Sequence, residues 1–312
     1  MSDLQGFFKL SDLLFRLYGK GKYADALEVA EKAAIEYPEM DARTAFWLIC
    51  LHNMTGQPEK ALQTFRDALT RGVWWAEFIL RSDSDLNSLQ GNEEFERLVK
   101  LSEEMRKQAE TIAKPEISVN QPYGTGPFPL LICLHPRAGY AELDFRDWSP
   151  VVKLGWALAL PRSTQMASPQ LYVWDDREKA WNEIIGHYET LIEKYPVDRD
   201  RIVIAGFSQG AARAVELVAS RRVKARGFFA VVPGTVDMAE LEGWAAAHMG
   251  RSVLVSGGKD PRYEMFLQIK EMLERRNIPL LFEHYPEMAH QIPSNFEMVL
   301  EKGLEFILKE QE

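Results

Sequence analysis

The hydrophobic pattern changes character about a third of the way along the chain. Up to about residue 112 the apolar positions recur at helical spacing, as in Phe95, Leu98, Leu101 and Met105, which share one face. From residue 129 onward the pattern becomes short continuous apolar runs: 129–134, 156–160, 202–205, 227–232, 252–256 and 280–285. Helical stretches at 177–195, 209–220, 262–276 and 294–309 fall between or after them. Continuous apolar strands alternating with helices predict a parallel sheet covered on both faces. The stretch 108–128 is punctuated by Pro115, Pro122, Gly124, Gly126 and Pro127 and reads as a linker, with Ile117–Val119 as an early edge strand. The expected organisation is an all-α domain over 1–113 followed by an α/β domain over 114–312.

The helical third repeats itself. Gly21-Lys22-Tyr23-Ala24-Asp25-Ala26 aligns with Gly56-Gln57-Pro58-Glu59-Lys60-Ala61, and Ala30 and Ala33 align with Phe65 and Ala68 at the same offset of 35 residues. Glycine suits the turn within each helix pair, small alanines let paired helices approach closely, and Pro38 and Gly72 end the two units. This resembles the tetratricopeptide repeat, in two degenerate copies over about residues 7–72. Two copies bury too little to stand alone, so the helices expected at 74–80 and 93–107 complete the unit. Such an array packs on the neighbouring domain, pairs two chains, or binds a protein partner; packing is the stronger expectation, with Trp74 and Trp75 at the domain interface and a lid over the site mouth as their alternative role.

Composition narrows the picture only slightly. The 312 residues carry 46% hydrophobic and 27% charged residues and a net charge of −9, with no basic face to hold nucleic acid. Cys50 and Cys133 are expected to be buried fillers, and no His/Cys cluster suggests a metal. The first residues read as an amphipathic helix, not a leader, and no run is long enough to span a membrane, so the cytoplasm is the expected compartment.

The chemistry concentrates at Gly206-Phe207-Ser208-Gln209-Gly210, a G-x-S-x-G between a strand-like and a helix-like run. A serine on so sharp a turn sits in a strained backbone, and flanking glycines remove the Cβ atoms that would collide. Its hydroxyl needs a base, and the base needs an orienting carboxylate. Of the histidines after Ser208, His248 lies in a helical stretch and His284 inside the last strand, whereas His290 follows that strand in a loop. Asp260, in Gly257-Gly258-Lys259-Asp260-Pro261 just past a strand, is the leading acid; Asp237 is second and Glu264 third. The oxyanion requires two N–H donors. One is the backbone of Gln209. The other must come from the loop after 129–134, where Pro136 has no N–H, so Arg137 leads and Ala138 follows. The Arg137 guanidinium is alternatively a partner for a substrate carboxylate. Tyr140, Tyr172 and Trp174 are candidate substrate-binding residues, with Met166 and Leu171 from the same segment as acyl-pocket wall.

Residues 129–312 resemble the α/β-hydrolase fold, and within it the phospholipase/carboxylesterase and dienelactone hydrolase branch. The resemblance rests on VDRDRIVIAGFSQGAARA (197–214), GGKDP (257–261) and MAHQIP (288–293), in the expected order. It implies a cofactor-free serine esterase acting on small carboxylic esters, with Ser208 as nucleophile, Asp260 as acid and His290 as base. A thioesterase or a peptidase of the prolyl-oligopeptidase type would use the same three residues. A vestigial hydrolase domain behind an interaction array is the remaining alternative. One departure stands out. The His-Gly-x-Gly usual after the first core strand reads His135-Pro136-Arg137-Ala138 here, which stiffens the loop that must supply the second oxyanion donor.

Overall fold

The computed structural model describes residues 4–139, 141–244 and 250–309. Two compact units emerge: Met1–Ala113 with Met166–Leu171, and Lys114–Gln165 with Tyr172–Glu312. Six residues of the later stretch thus belong to the helical unit, where the hydrophobic pattern predicts a single cut.

In the helical unit, α1 (Leu4–Tyr18), α2 (Tyr23–Glu36), α3 (Asp41–Met54) and α4 (Pro58–Thr70) pack each on the next. Gly21 and Gly56 stand at φ +69° and +75°, 35 residues apart, and a Cβ on either would meet nothing within 4 Å. Glycine is needed there for backbone conformation, not for room. The small residues at matching repeat positions, Ala26, Ala30, Ala33, Ala61 and Ala68, are all fully buried. Further on come α5 (Glu77–Ser82) and α6 (Glu93–Ile112), whose first turn is capped by Asn92 accepting from the N–H groups of Glu94 and Phe95. Trp74 and Trp75 lie in this unit's own core beside Phe65 and Phe95. The Trp75 indole N–H reaches the Ala42 carbonyl at 3.0 Å, and the Ser102 hydroxyl donates to the Trp75 carbonyl. Met166–Leu171 is part of this unit: Met166 N–H donates to Glu110 and Ala76 N–H to the Ala167 carbonyl, each at 2.8 Å.

The second unit is a seven-stranded sheet. Its strands are β1 (Glu116–Asn120), β2 (Phe128–Leu134), β3 (Ala157–Arg162), β4 (Val197–Phe207), β5 (Gly227–Val231), β6 (Ser252–Gly257) and β7 (Leu280–Tyr285). They lie in the order β1-β3-β2-β4-β5-β6-β7, all parallel except β1, which runs antiparallel along β3. Every residue of β5 and β6 is buried, as both faces are covered, while the edge strands β1 and β7 are half-exposed. After β3 the chain crosses back to the other side of β2, so the strand order reverses between β2 and β4. A crevice opens beyond the carboxyl ends at such a reversal. Register places Leu134 beside Gly206, so the loops that follow these two strands start side by side. Trp148, Phe229 and Phe296 meet edge to face, with Trp148 and Phe296 4.9 Å apart at 84°. That cluster docks the last helix, Phe296–Leu308, and fixes where the loop before it ends. Both cysteines are buried and free. No helix among the described residues is long and apolar enough to cross a membrane.

Candidate active site

β4 ends in a turn too tight for ordinary side chains. Ser208 has φ +55° and ψ −119°, a conformation costing on the order of 1–3 kcal/mol that the surroundings must enforce. They do so through its backbone: Ser208 N–H donates to Val231, and its carbonyl accepts from Ala212 at 3.0 Å and Gly234 at 2.7 Å. A Cβ on Gly206 would lie 2.5 Å from the Gly210 carbonyl carbon, and one on Gly210 would lie 2.0 Å from the Leu134 oxygen. The two motif glycines are therefore places where backbone meets backbone. The second brings the start of helix Gln209–Ala219 against the end of β2. The Ser208 hydroxyl does not cap that helix. It lies 2.7 Å from Nε2 of His290.

His290 sits in the loop after β7, its ring stacked on Phe207 at 5.1 Å. Its Nδ1 is 2.5 Å from Oδ2 of Asp260, which is buried in the loop after β6. The double glycine before Asp260 is explained by contact between these loops: a Cβ on Gly257 would lie 2.5 Å from the Met288 carbonyl, and one on Gly258 2.5 Å from that of Pro286. With Nδ1–H donated to the carboxylate, Nε2 faces the serine as an acceptor. The other Asp260 oxygen accepts the Arg262 backbone N–H at 2.8 Å. The Arg262 guanidinium lies alongside, Nε 3.3 Å from Asp260 and Nη2 2.8 Å from His290 Nδ1; nothing in the sequence pattern singles it out. Asp237 is occupied elsewhere, accepting from the N–H groups of Ala239 and Glu240. His284 faces the Ser256 hydroxyl within the sheet, and His248 lies outside the described residues.

The loop after β2 forms the other side. Ala138 adopts φ +57°, and Gly139 N–H closes a turn on the Pro136 carbonyl at 3.0 Å. Pro136 has no N–H to offer the site, and that of Gly139 is spent within the turn. His135 is buried, and burial pushes its pKa down to about 4. Nδ1 contacts the Pro136 carbonyl, Nε2 accepts from Ser163 N–H, and the ring stacks on Trp174 at 4.4 Å. Trp174 is wholly buried and donates from its indole to the His135 carbonyl at 3.0 Å. Tyr172 is also buried; its N–H donates to the Gly139 carbonyl and its ring lies under the Arg162 guanidinium. Both residues thus bond to the loop, Trp174 at His135 and Tyr172 at Gly139. The Arg137 guanidinium forms a two-pronged pair with Asp175, at 3.0 and 2.8 Å, and so is already engaged by a carboxylate of the chain. Tyr140 lies outside the described residues.

A cavity of about 560 Å³ opens beside His290, between Pro136, Phe207, Ile292 and Phe296. Three acids, Asp144, Asp147 and Glu297, line it against one base, Arg146. Neither Tyr172 nor Trp174 does. Among the described residues, one group of metal-ligating types draws together: Cys50, Asp83 and Asp85 in the helical unit, where Asp85 already accepts the Tyr18 hydroxyl at 2.7 Å.

Residues 7–110 match the A/B hydrolase-like, N-terminal domain family, and residues 169–308 match the Phospholipase/Carboxylesterase family. No curated protein matches the chain. Among solved structures, an uncharacterized protein from Bacillus cereus ATCC 10987 is similar over 97% of this chain and 98% of its own, at 23% identity and a TM-score of 0.56. Esterase PE8 is similar over 63% of this chain and all of its own, at 14% identity and a TM-score of 0.55. Est1E from Butyrivibrio proteoclasticus, solved with ferulic acid bound, covers 62% of this chain and 94% of its own, at 16% identity and a TM-score of 0.51. These likenesses show the fold.

Proposed function

We propose that this protein, an α/β-hydrolase whose second unit is of the phospholipase/carboxylesterase type, is a serine carboxylesterase working through an acyl-enzyme. The observation that carries the reading is one unbroken relay: Ser208 Oγ to His290 Nε2 at 2.7 Å, and His290 Nδ1 to Asp260 Oδ2 at 2.5 Å. The three members sit just past the carboxyl ends of β4, β7 and β6, where such a sheet binds its ligands.

The chemistry follows from the atoms. Nε2 takes the Ser208 proton as Oγ attacks the ester carbonyl, and the carbonyl oxygen becomes an oxyanion. The buried Asp260 carboxylate stabilises the imidazolium and holds Nδ1–H in place. The Gln209 N–H, at the start of helix Gln209–Ala219, faces the developing charge, and the 137–138 turn supplies the second donor. Collapse expels the alcohol, protonated from Nε2. His290 then deprotonates a water, which attacks the acyl group and releases the acid.

The test is a chain-length series of nitrophenyl esters and matching thioesters, with a peptide panel alongside, on the full-length protein and on Ser208→Ala. Ester turnover that disappears in Ser208→Ala is the expected outcome. Wild-type rates in Ser208→Ala, or turnover of peptides alone, would overturn the reading.

A further inference from the structure

We infer that Asp175 is a positioning residue that fastens together the two chain segments from which the oxyanion is held. This rests on the serine-esterase reading above. The carboxylate stands between the segments and bonds to both. Oδ1 accepts from Arg137 Nε at 3.0 Å and from Gln209 Nε2 at 2.7 Å, and Oδ2 accepts from Arg137 Nη2 at 2.8 Å. The residue before it completes the bracket: Trp174 N–H donates to Gln209 Oε1 at 2.8 Å, so both ends of the Gln209 amide are held by residues 174–175. Meanwhile the Trp174 indole holds the His135 carbonyl at 3.0 Å. Arg137 and Gln209, fixed by one carboxylate, are the two residues whose backbone N–H groups must converge on a single oxygen.

Such a bracket is needed here for a specific reason. A donor pair stabilises an oxyanion only when it is held at hydrogen-bond distance before the charge forms. The loop after β2 carries Pro136 where a glycine is usual, so it cannot shape itself around the oxyanion. It must be held from outside. Asp175 stays ionised in this position. Burial pushes its carboxyl up, but the hydrogen bonds from Arg137 and Gln209 outweigh that and leave it below the usual carboxylate range. Global stability is a poor account of the arrangement. The Arg137 side chain is 45% exposed, and an ion pair so open to water contributes little to folding.

Asp175→Ala, Asp175→Asn and Arg137→Met would be compared with the full-length wild type on nitrophenyl acetate. The trifluoromethyl ketone whose hemiketal oxyanion mimics the tetrahedral state serves as inhibitor. Asp175→Ala should lower kcat about 30-fold with KM changed less than about 2-fold, since loosening a donor costs less than the 10²–10³ of removing one. The inhibitor constant should rise by a similar factor, while the melting temperature shifts by no more than about 3 °C. Asp175→Asn, nearly isosteric, should show a smaller loss of the same kind and guards against misfolding of the alanine variant. Adding Arg137→Met to Asp175→Ala should cost nothing further. An unchanged kcat in Asp175→Ala beside an inactive Ser208→Ala would overturn the bracket alone. A kcat loss with an unchanged inhibitor constant would do the same. Full activity in Ser208→Ala would remove the parent reading instead.

Discussion

The two halves of the site are built on different principles. On the relay side, Ser208, Asp260 and His290 each stand within a few residues of a strand end, and backbone contacts at Gly206, Gly257 and Gly258 set where they point. On the side proposed to hold the oxyanion, the turn after β2 is held by side chains reaching across the fold: Trp174 to His135, Arg137 to Asp175, and Gln209 to residues 174 and 175. A half set by strand ends tolerates changes in its surroundings; a half set by side-chain pairs fails one pair at a time. The halves touch where helix Gln209–Ala219 begins, at Gly210.

The relay should give the largest effects. Ser208→Ala or His290→Ala should lower kcat by about 10⁴-fold or more, and Asp260→Asn by about 10³–10⁴-fold, measured with nitrophenyl acetate. A milder Asp260→Asn than Asp175→Ala would reverse the ranking of the two halves. Next comes the junction. Gly210→Ala would press a methyl 2.0 Å from the Leu134 oxygen, and backbone has no way to yield. More than about 3 kcal/mol of stability should go, read as loss of soluble protein or a collapsed melting temperature. A Gly210→Ala variant as stable and active as wild type would mean the halves are not in contact.

A third prediction separates the halves by pH. The folded His135 pKa is about 4, below the ordinary value of about 6.5. As pH falls from about 6.5 towards 4, the unfolded chain takes up a proton that the folded chain refuses. Stability is therefore complete above about 6.5 and drains away below it, by as much as roughly 3 kcal/mol. In urea titrations, His135→Gln should lose about one proton's worth of that slope, near 1.4 kcal/mol per pH unit. An identical slope in the variant would show that His135 is not the buried neutral ring on which Trp174 stacks. The smallest effect concerns the cavity beside His290, where three acids face one base. A cationic ester should show a KM roughly 3-fold lower than an anionic one of equal size, and the gap should shrink in about 0.5 M salt. The opposite preference would mean that another face of the site receives the substrate.

How much of this the sequence discloses follows the same division. Strand-end residues are legible because an apolar run, a glycine turn and a polar residue appear consecutively; Ser208, Asp260 and His290 can be ordered along the chain and are brought together in space. Asp175 and Arg262 are not legible, because their roles depend on partners across 38 and 28 residues respectively. The aromatic residues mislead for a related reason. Tyr172 and Trp174 are pocket candidates in the sequence, yet neither lines the cavity beside His290, and Trp174 is wholly buried with its indole N–H on the His135 carbonyl. The departure of Met166–Leu171 into the helical unit leaves no periodic signal, since six residues are too few to show one.

The central claim is that Ser208 is the nucleophile of the relay. A fluorophosphonate probe with intact-mass analysis and peptide mapping tests it directly. One adduct should form, on Ser208, absent in Ser208→Ala and greatly slowed in His290→Ala. Labelling of Ser208→Ala at the wild-type rate, or an adduct mapped to any other residue, would contradict the account.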